Sequence, residues 1–505
     1  MAENYGEKLA KGGLIVTLIF VIGAIAGYGL RIFVSRSLSI EEFGLFYSIL
    51  SVVGAFSIFK ELGLTSSLAV KMPEFLSSGH FGKANDIIKK SLLIQLLASV
   101  VIAVFILSFA AFLFPRLQET SSQVMKIIVF SFIASVLFEI FRAGLQGTKH
   151  FVFYSAIEPA RLIIIFVSSF ILFSMGMGIV GLAFSYLIAA LLLSIIVPSY
   201  FFIKNKNIMK SHSIKVPTKE IAYFTGFIWF GSIASTVLAY ADTIILALLK
   251  APKEAGFYQV ALPTAQLITF FLTPMTIVLL PFVSEMWNKK DKDVLNNTAG
   301  FVVKMLLVAI LPAIIVLEVL SHDIILFIFG DKFIPAIPAL QILIIGMLFY
   351  SFVPLLTTFI LGIGRPKDNI KIMASMGAVN IILDLLLIPS LGIIGAAISL
   401  SLAYLVGTVV AFTMIKKSIK FTIQYKNIGK TLVGGVIVLV VITYLKEIIQ
   451  LTPVPEAILL IVVAGILYSG YVLATKTVDK RDIQIIKNAK ILPKCVSKIL
   501  EKLAR

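Results

Sequence analysis

Fourteen stretches of this 505-residue chain are each apolar over a length that can cross a lipid bilayer, and together they take up nearly the whole sequence. They fall near 12–35, 42–64, 90–114, 122–146, 152–175, 178–203, 220–249, 255–283, 294–320, 334–361, 369–389, 391–415, 428–446 and 456–475. A helix needs about 20 apolar residues to span the hydrocarbon core. Lipid offers backbone N–H and C=O groups no hydrogen-bond partner, so a spanning segment must be a helix or part of a closed barrel. Barrel strands are shorter and alternate apolar with polar residues, whereas these runs are apolar throughout. The expected fold class is all-α: a polytopic membrane protein of about fourteen transmembrane helices.

Charge is sparse, at 14% of residues, yet the net charge is +18. The lysines sit in the gaps between apolar runs and form no basic stripe, which argues against a nucleic-acid partner and for anionic membrane lipids. When the N-terminus and every second gap are assigned to one side, that side collects twenty-three Lys and Arg residues before the tail. The opposite side holds six: Arg36, Arg116, Lys250, Lys253, Lys332 and Lys446. Cytoplasmic loops carry the excess of positive charge. The chain is therefore expected to lie in the cytoplasmic (plasma) membrane, multi-pass, with both termini inside. The first apolar run has no small-residue cleavage site and reads as a retained helix.

Chemistry-bearing motifs are absent. One cysteine, Cys495, and four scattered histidines (His80, His150, His212, His322) allow no disulfide framework and no metal cluster. There is no phosphate-cradling glycine loop, no HExxH pair and no Ser/His/Asp set on ordered loops. The chain is expected not to be an enzyme and to need no cofactor. With short cytoplasmic loops and no ATP-hydrolysing domain, transport would run on H+ or Na+, or on the substrate's own gradient.

A lysine-rich link at 204–219 divides an N-terminal lobe (1–203, spans 1–6) from a C-terminal lobe (220–420, spans 7–12). Spans 13–14 (421–476) follow, then a basic tail (477–505). In that tail Val496, Ile499, Leu500 and Leu503 share one helical face, so it reads as an amphipathic helix on the inner leaflet. The halves repeat. Gly44 in SIEEFGLFY aligns with Gly256 in APKEAGFY, GIVGLAFS (178–185) with GIIGAAIS (392–399), and Gly147 with Gly364, at offsets of 212, 214 and 217. Six spans per copy is an even number, so the two lobes run in the same direction. They are expected to be related by an axis along the membrane normal, with a cavity between them.

The Leu38–Tyr47 segment entering span 2 carries a family resemblance. So do Leu62–Gly63–Leu64 with Lys71, the Leu145–Gln146–Gly147 turn, and Gly178 and Gly181 at the start of span 6. On these features the chain resembles the MOP (multidrug/oligosaccharidyl-lipid/polysaccharide) flippase superfamily, most of all its polysaccharide-transporter or O-antigen flippase branch. The resemblance covers roughly 10–420. It implies two MATE-like six-helix lobes plus two extra C-terminal helices, working by alternating access. The implied substrate is a polyprenyl-linked pyrophosphate oligosaccharide carried from inner to outer leaflet, with a polysaccharide polymerase or glycosyltransferases as candidate partners.

Ionisable groups within spans cost at least about 2.5–3.5 kcal/mol on insertion scales and usually face a wet or protein interior. Glu139 and Arg142, and Glu158 and Arg161, are spaced i, i+3 and so share helical faces. They read either as self-neutralised pairs or as a basic cluster at the inner mouth of the cavity, with the glutamates pairing or gating. Guanidinium forks match phosphate oxygens, so Arg142, Arg161 and the solitary Arg31 of span 1 are the candidate pyrophosphate ligands. Asp242 and Asp384 lack a basic residue three or four positions away; with Asn380, one turn before Asp384, they are candidate ion-coupling residues. Lys60, Glu61 and Glu318 fall near span ends and read as structural snorkelling residues. The alternative function is an ion-coupled multidrug or toxin antiporter of the same superfamily. A membrane-embedded glycosyltransferase would need long outer loops, which this chain lacks.

Overall fold

The computed structural model describes residues 2–113, 119–216, 218–269, 272–419, 425–449 and 453–478. The tail expected as an amphipathic helix lies outside the described residues, save 477–478. Eighteen α-helices and a few 3-10 and π turns account for the described chain, without a strand among them. In order, α1 is Ala2–Ser37, α2 Ile40–Glu61, α3 Leu64–Ser77, α4 Phe81–Leu113, α5 Glu119–Gly147 and α6 Phe151–Ser174. Then come α7 Gly178–Lys204, α8 Lys206–Lys210, α9 Thr218–Leu249, α10 Pro252–Gln266, α11 Leu272–Asn288 and α12 Lys292–Val319. The last six are α13 Ser321–Ile324, α14 Ile337–Gly362, α15 Pro366–Leu391, α16 Ile393–Ile415, α17 Tyr425–Ile448 and α18 Pro453–Ala474.

Twelve of the described helical stretches are long and apolar enough to cross a membrane, so the protein is an all-α polytopic membrane protein. The other two expected spans are α1 and the α10–α11 segment, whose side chains are only partly described. Large apolar side chains lie open on the helix exteriors, among them Val101, Ile195, Leu386 and Ile466, each about two-thirds exposed. Lipid is the solvent such faces require.

One boundary departs from expectation. The second span was expected to end at residue 64 and give way to a loop carrying Lys71. Instead the helix breaks only at Leu62 and Gly63, which take left-handed φ values of 46° and 72°, and resumes as α3. The two helices form one 38-residue stretch, Ile40–Ser77. A helix break frees carbonyls that must find donors. Trp229 Nε1 donates to Ile58 O at 2.9 Å, and Gln95 Nε2 to Glu61 O at 3.4 Å. A side chain at Gly63 would meet Thr225 O at 2.5 Å, so the glycine serves both the backbone turn and the approach of α9.

The chain forms two compact units, Met1–Gln259 with Asp384–Ile393, and Val260–Leu383 with Ile394–Arg505. In the first, α5 is the central helix, packed against α7, α4, α3 and α6, while α1 lies on α6 and α2 on α9. Glycines on α5 permit this crowding: a Cβ at Gly144 would sit 2.9 Å from the Phe201 ring, and one at Gly147 2.8 Å from Met72 Cβ. Leu68, Met72, Ile87, Ile140, Phe141, Leu145, Val197 and Phe201 form the buried core there. The segment after α8 is strapped along α4. Ile214 N donates to Gly82 O, Asn85 to Ser211 O, and Ser213 and the Val216 amide both donate to Asp86, which also pairs with Lys90 at 2.7 Å.

The glycines singled out as repeat equivalents, Gly44 of α2 and Gly256 of α10, touch one another. A Cβ at Gly44 would lie 1.7 Å from Pro252 O and 2.8 Å from Gly256 N; one at Gly256 would lie 2.9 Å from Ile40 O. In the second unit, α12, α17 and α18 enclose Leu311, Ile315, Val438, Ile442, Leu460 and Tyr468. There Lys446 ties α17 to Asp323 at 2.5 Å and to Val319 O at 2.8 Å, and Thr408 of α16 donates to Phe349 O of α14 at 2.6 Å.

The glycine contact makes opposite forecasts for two alanine substitutions. Gly44→Ala overpacks the α2–α10 crossing and should cost about 1–3 kcal/mol. Gly29→Ala enters open space and should be neutral or stabilising by up to about 1 kcal/mol, since alanine favours the helix. The unfolding temperature in detergent should fall for Gly44→Ala and stay level or rise for Gly29→Ala.

Candidate functional site

Because the α2 helix continues past its break, Lys60 lies in mid-stretch and not at a membrane edge. It is 2% exposed, and its ammonium pairs with Glu139 of α5 at 2.7 Å, donates to Ser135 Oγ at 3.0 Å and sits 4.5 Å from the centre of the Phe132 ring. A buried ammonium persists only when paired and hydrogen-bonded; α5 supplies all three contacts from residues 132, 135 and 139, which share one face. This corrects the reading of Lys60 as a snorkelling residue. Of the two readings of Glu139 and Arg142, the self-neutralised pair does not form, because Glu139 turns to Lys60.

Arg142 of α5 and Arg161 of α6 instead share Glu158. Arg161 makes a two-pronged contact to one carboxylate oxygen through Nε, at 2.9 Å, and Nη2. Arg142 Nη1 reaches the other oxygen at 3.4 Å. Arg142 is thus loosely held. Its guanidinium lies 5.0 Å from the centre of the Tyr154 ring, and its Nε is buried with no hydrogen-bond partner among the described residues. Pro159 and the i, i+3 spacing of Glu158 and Arg161 set the α6 side of the cluster.

These groups line one polar cavity of about 400 Å³ inside the first unit, walled by α2, α5, α6, α7 and α9. Its ionisable lining is Lys60, Arg142 and Arg161 against Glu61, Glu139 and Glu158, with Tyr186, Tyr240, Ser57, Ser131 and Ser135 beside them. An adjoining pocket of about 230 Å³ shares Glu61, Glu139 and Arg142 and adds Thr65, Ser66, Gln146 and Tyr154, beside the start of α3 and the end of α5. Three cations and three carboxylates in a water-accessible hollow can take up an anion by exchanging an internal carboxylate for an external one.

The other expected site residues lie elsewhere. Arg31 is not among the cavity's lining. Its guanidinium donates to the backbone and side-chain oxygens of Gln259, the latter at 2.8 Å, and stacks 4.5 Å from the centre of Tyr47. The absence of a partner at helical spacing therefore did not mean absence of a partner; a helix distant in sequence supplies it. Asp242 is 3% exposed and accepts a hydrogen bond from Tyr258, while the neighbouring Thr243 accepts one from Gln259 at 2.7 Å. Asn380 and Asp384 are fully buried on α15, one turn apart. None of these three lines the cavity. Sequence reasoning missed Lys60 and Glu61 as cavity residues because Gly63 looked like a terminus, and it missed Tyr186 and Tyr240 because nothing in their spacing marks them.

Removing one partner of a buried ion pair leaves an uncompensated charge at a cost of about 3–5 kcal/mol. Lys60→Met should therefore lower the unfolding temperature in detergent strongly. Lys60→Met combined with Glu139→Leu should recover most of the loss, and a double variant no better than the single one would show that the two side chains are not coupled.

Comparison with known proteins places the chain. Residues 9–287, more than half of it, match the family of polysaccharide biosynthesis proteins, and residues 228–386 match the MatE family. A membrane protein of Methanocaldococcus jannaschii is 26% identical over 92% of this chain and 94% of its own length. The probable flippase AglR of Haloferax volcanii is 25% identical over 95% and 98%. The putative O-antigen transporter of Shigella flexneri is 24% identical over 73% and 88%. Among solved structures, the lipid II flippase MurJ in its inward closed conformation superposes with a TM-score of 0.75 at 18% identity, covering 91% of this chain and 98% of that one. A multidrug-resistance MATE transporter of the MOP superfamily gives 0.64 at 14%, over 80% and 95%. The chain belongs to the polysaccharide biosynthesis protein family, within the MOP superfamily of membrane transporters.

Proposed function

We propose that this protein is a flippase that moves a lipid-linked oligosaccharide from the inner to the outer leaflet of the cytoplasmic membrane by alternating access, for polysaccharide or glycan assembly. The observation that carries the reading is the cavity in which Arg142 and Arg161 share a single carboxylate, with Arg142 holding an unfilled buried donor. A pyrophosphate presents several charged oxygens to such a pair, and guanidinium groups bind them in a fork geometry that a lysine cannot match. Relatives named as a probable flippase, a probable low-salt glycan biosynthesis flippase and a putative O-antigen transporter support the substrate class. The excess of lysine on one set of loops supports termini on the cytoplasmic side. In this reading Arg142 and Arg161 dock the pyrophosphate and Glu158 yields to it. Lys60 is added to the docking set, and Glu139 gates it. The sugar occupies the polar remainder of the cavity, and the acyl chain stays in lipid. Arg31 acts from outside the cavity, through Tyr47 and Gln259. Asp242, Asn380 and Asp384 remain proposed ion-coupling residues, and a polymerase or glycosyltransferases remain proposed partners.

The multidrug antiporter is the rival from the same superfamily. Cationic drugs prefer a hollow of acids and aromatics, whereas here two of the three carboxylates are already engaged by cations. Translocation of a fluorescent lipid-linked oligosaccharide in proteoliposomes separates them. Arg142→Ala and Arg161→Ala should each slow flipping at least about tenfold, the order expected when a charge-assisted hydrogen bond is lost. Lys289→Ala, at an exposed surface pair, should not. Unimpaired flipping in both arginine variants would remove the cavity from the route, and ion-driven drug efflux in place of sugar-lipid transfer would favour the antiporter.

A further inference from the structure

The pocket that adjoins the cavity differs from it in chemistry. The cavity's polar lining is dominated by charge, whereas the polar groups that the pocket adds are neutral: the hydroxyls of Thr65 and Ser66, the amide of Gln146 and the ring of Tyr154. Thr65 donates to Glu61 at 3.3 Å. The side-chain polar atoms of Ser66, Gln146 and Tyr154 have no hydrogen-bond partner among the described residues. Helix geometry fixes where these groups lie. Arg142 and Gln146 are spaced i, i+4 on α5, and Tyr154, Glu158 and Arg161 are spaced i, i+4, i+7 on α6, so each set shares a face. The pocket is thus the arginine cluster continued by one helical turn on both helices, toward the loop that carries Lys149. Arg142 belongs to both. Its Nη1 reaches Glu158 at 3.4 Å, and its guanidinium lies 5.0 Å from the centre of the Tyr154 ring.

A pyranose presents a face of C–H bonds and a rim of hydroxyl or acetamido groups that both donate and accept. An aromatic ring suits the face, and amide and hydroxyl side chains suit the rim. In a lipid-linked oligosaccharide the first sugar is joined to phosphorus through a single oxygen, so a phosphate held by Arg142 places that sugar beside Arg142. We propose that the adjoining pocket is the subsite for this first sugar, with its ring on Tyr154 and its rim on Gln146, Ser66 and Thr65. The proposal rests on the cavity being the head-group site. As Arg142 turns toward the phosphate, it leaves the Tyr154 face, and the pyranose takes the place of the guanidinium. Tyr154 exchanges a cation–π contact for a stacked sugar, while Ser66 and Gln146 gain hydrogen bonds that the protein itself does not give them. Recognition of the sugar therefore depends on engagement of the phosphate. A free sugar meets a covered ring, and a pyrophosphate without a sugar uncovers the ring and puts nothing on it.

The test is calorimetric titration of the purified full-length protein with citronellyl pyrophosphate diesters of equal charge. One set carries glucose, galactose, N-acetylglucosamine or N-acetylgalactosamine, and the reference carries a methyl group. The readout is the ratio of sugar-diester to methyl-diester affinity, because Tyr154→Leu also frees Arg142 and alters both affinities together. In the wild type the best of the four sugars should bind at least about tenfold more tightly than the methyl diester, the order expected of one or two hydrogen bonds with a stacked ring. Tyr154→Leu and Gln146→Leu should each bring that ratio close to one, and Tyr154→Phe, which keeps the ring, should preserve most of it. Ser66→Ala, at an exposed hydroxyl, should lower it about threefold, the order of one neutral hydrogen bond, and serves where Gln146→Leu does not fold. A wild-type ratio near one for all four sugars, or a ratio unchanged in Tyr154→Leu and in the Gln146 or Ser66 variant, overturns the subsite while leaving the cavity reading intact. No binding of any diester by a wild type that still flips the full-length substrate, or binding undiminished by Arg142→Ala and Arg161→Ala together, overturns the cavity reading and the subsite with it.

Discussion

A charged side chain inside a membrane protein survives only if another charge is brought to it, and in this chain that requirement fixes the first unit. Lys60 would be costly in any dry surrounding, yet it is almost wholly covered and held by Glu139, Ser135 and the Phe132 ring. Removal of charges from water is repaid only by close geometry with further hydrogen bonds. Such geometry requires α2 and α5 to keep one register. The neighbouring triad makes a second demand, since Glu158 can serve two guanidinium groups only if α5 and α6 hold their spacing. The polar cavity is the space these obligations leave open.

The register is secured by small residues and by one deliberate flaw. Gly144 and Gly147 let Phe201 and Met72 press against α5, and close approach of this kind is what packs helices in lipid, where hydrophobic burial gives little drive. The flaw is the left-handed pair Leu62–Gly63. It turns one overlong stretch into two helices, with Trp229 and Gln95 donating to the Ile58 and Glu61 carbonyls beside the break. The turn brings Glu61 to the edge of the cavity and Thr65 to the adjoining pocket, and lets α3 pack on α5. The strap of residues 211–216 on α4, made through Asp86 and Lys90, joins what reads as a free linker to the same unit.

The fold class was legible because the bilayer reduces the choice to helix or barrel and the apolar runs leave only the first. The arginines and glutamates of spans 4 and 5 were legible as a cluster because a helix places i and i+3 on one face. Their pairing was not. Periodicity reports which groups on one helix are neighbours; it is silent on groups from different helices, and a carboxylate will take the partner with the better geometry. Glu139 therefore chose Lys60 over Arg142, and Arg31 found Gln259, 228 positions away. Lys60 was misplaced for a related reason. A glycine after an apolar run usually marks a helix end, and here it marks a break inside a longer one. The alignment of Gly44 with Gly256 came from a weak repeat, yet the two positions meet in space.

A carrier must release what it binds, and the charge pattern of the cavity bears on that. Unpaired arginines would hold a pyrophosphate tightly enough to trap it, since binding energy spent equally on both sides of the membrane lowers dissociation without speeding transfer. In this cavity every cation already has a carboxylate, so the incoming anion gains only the difference between its own contacts and those it displaces. Arg142, with its long bond to Glu158 and its unfilled Nε, has least to lose and would be the first contact on the proposed route. Arg161, bound twice to Glu158, is the more reluctant partner. Under the proposed route, the order of surrender, loose guanidinium before tight, would let the head group enter in steps, with the same carboxylate ready to expel it.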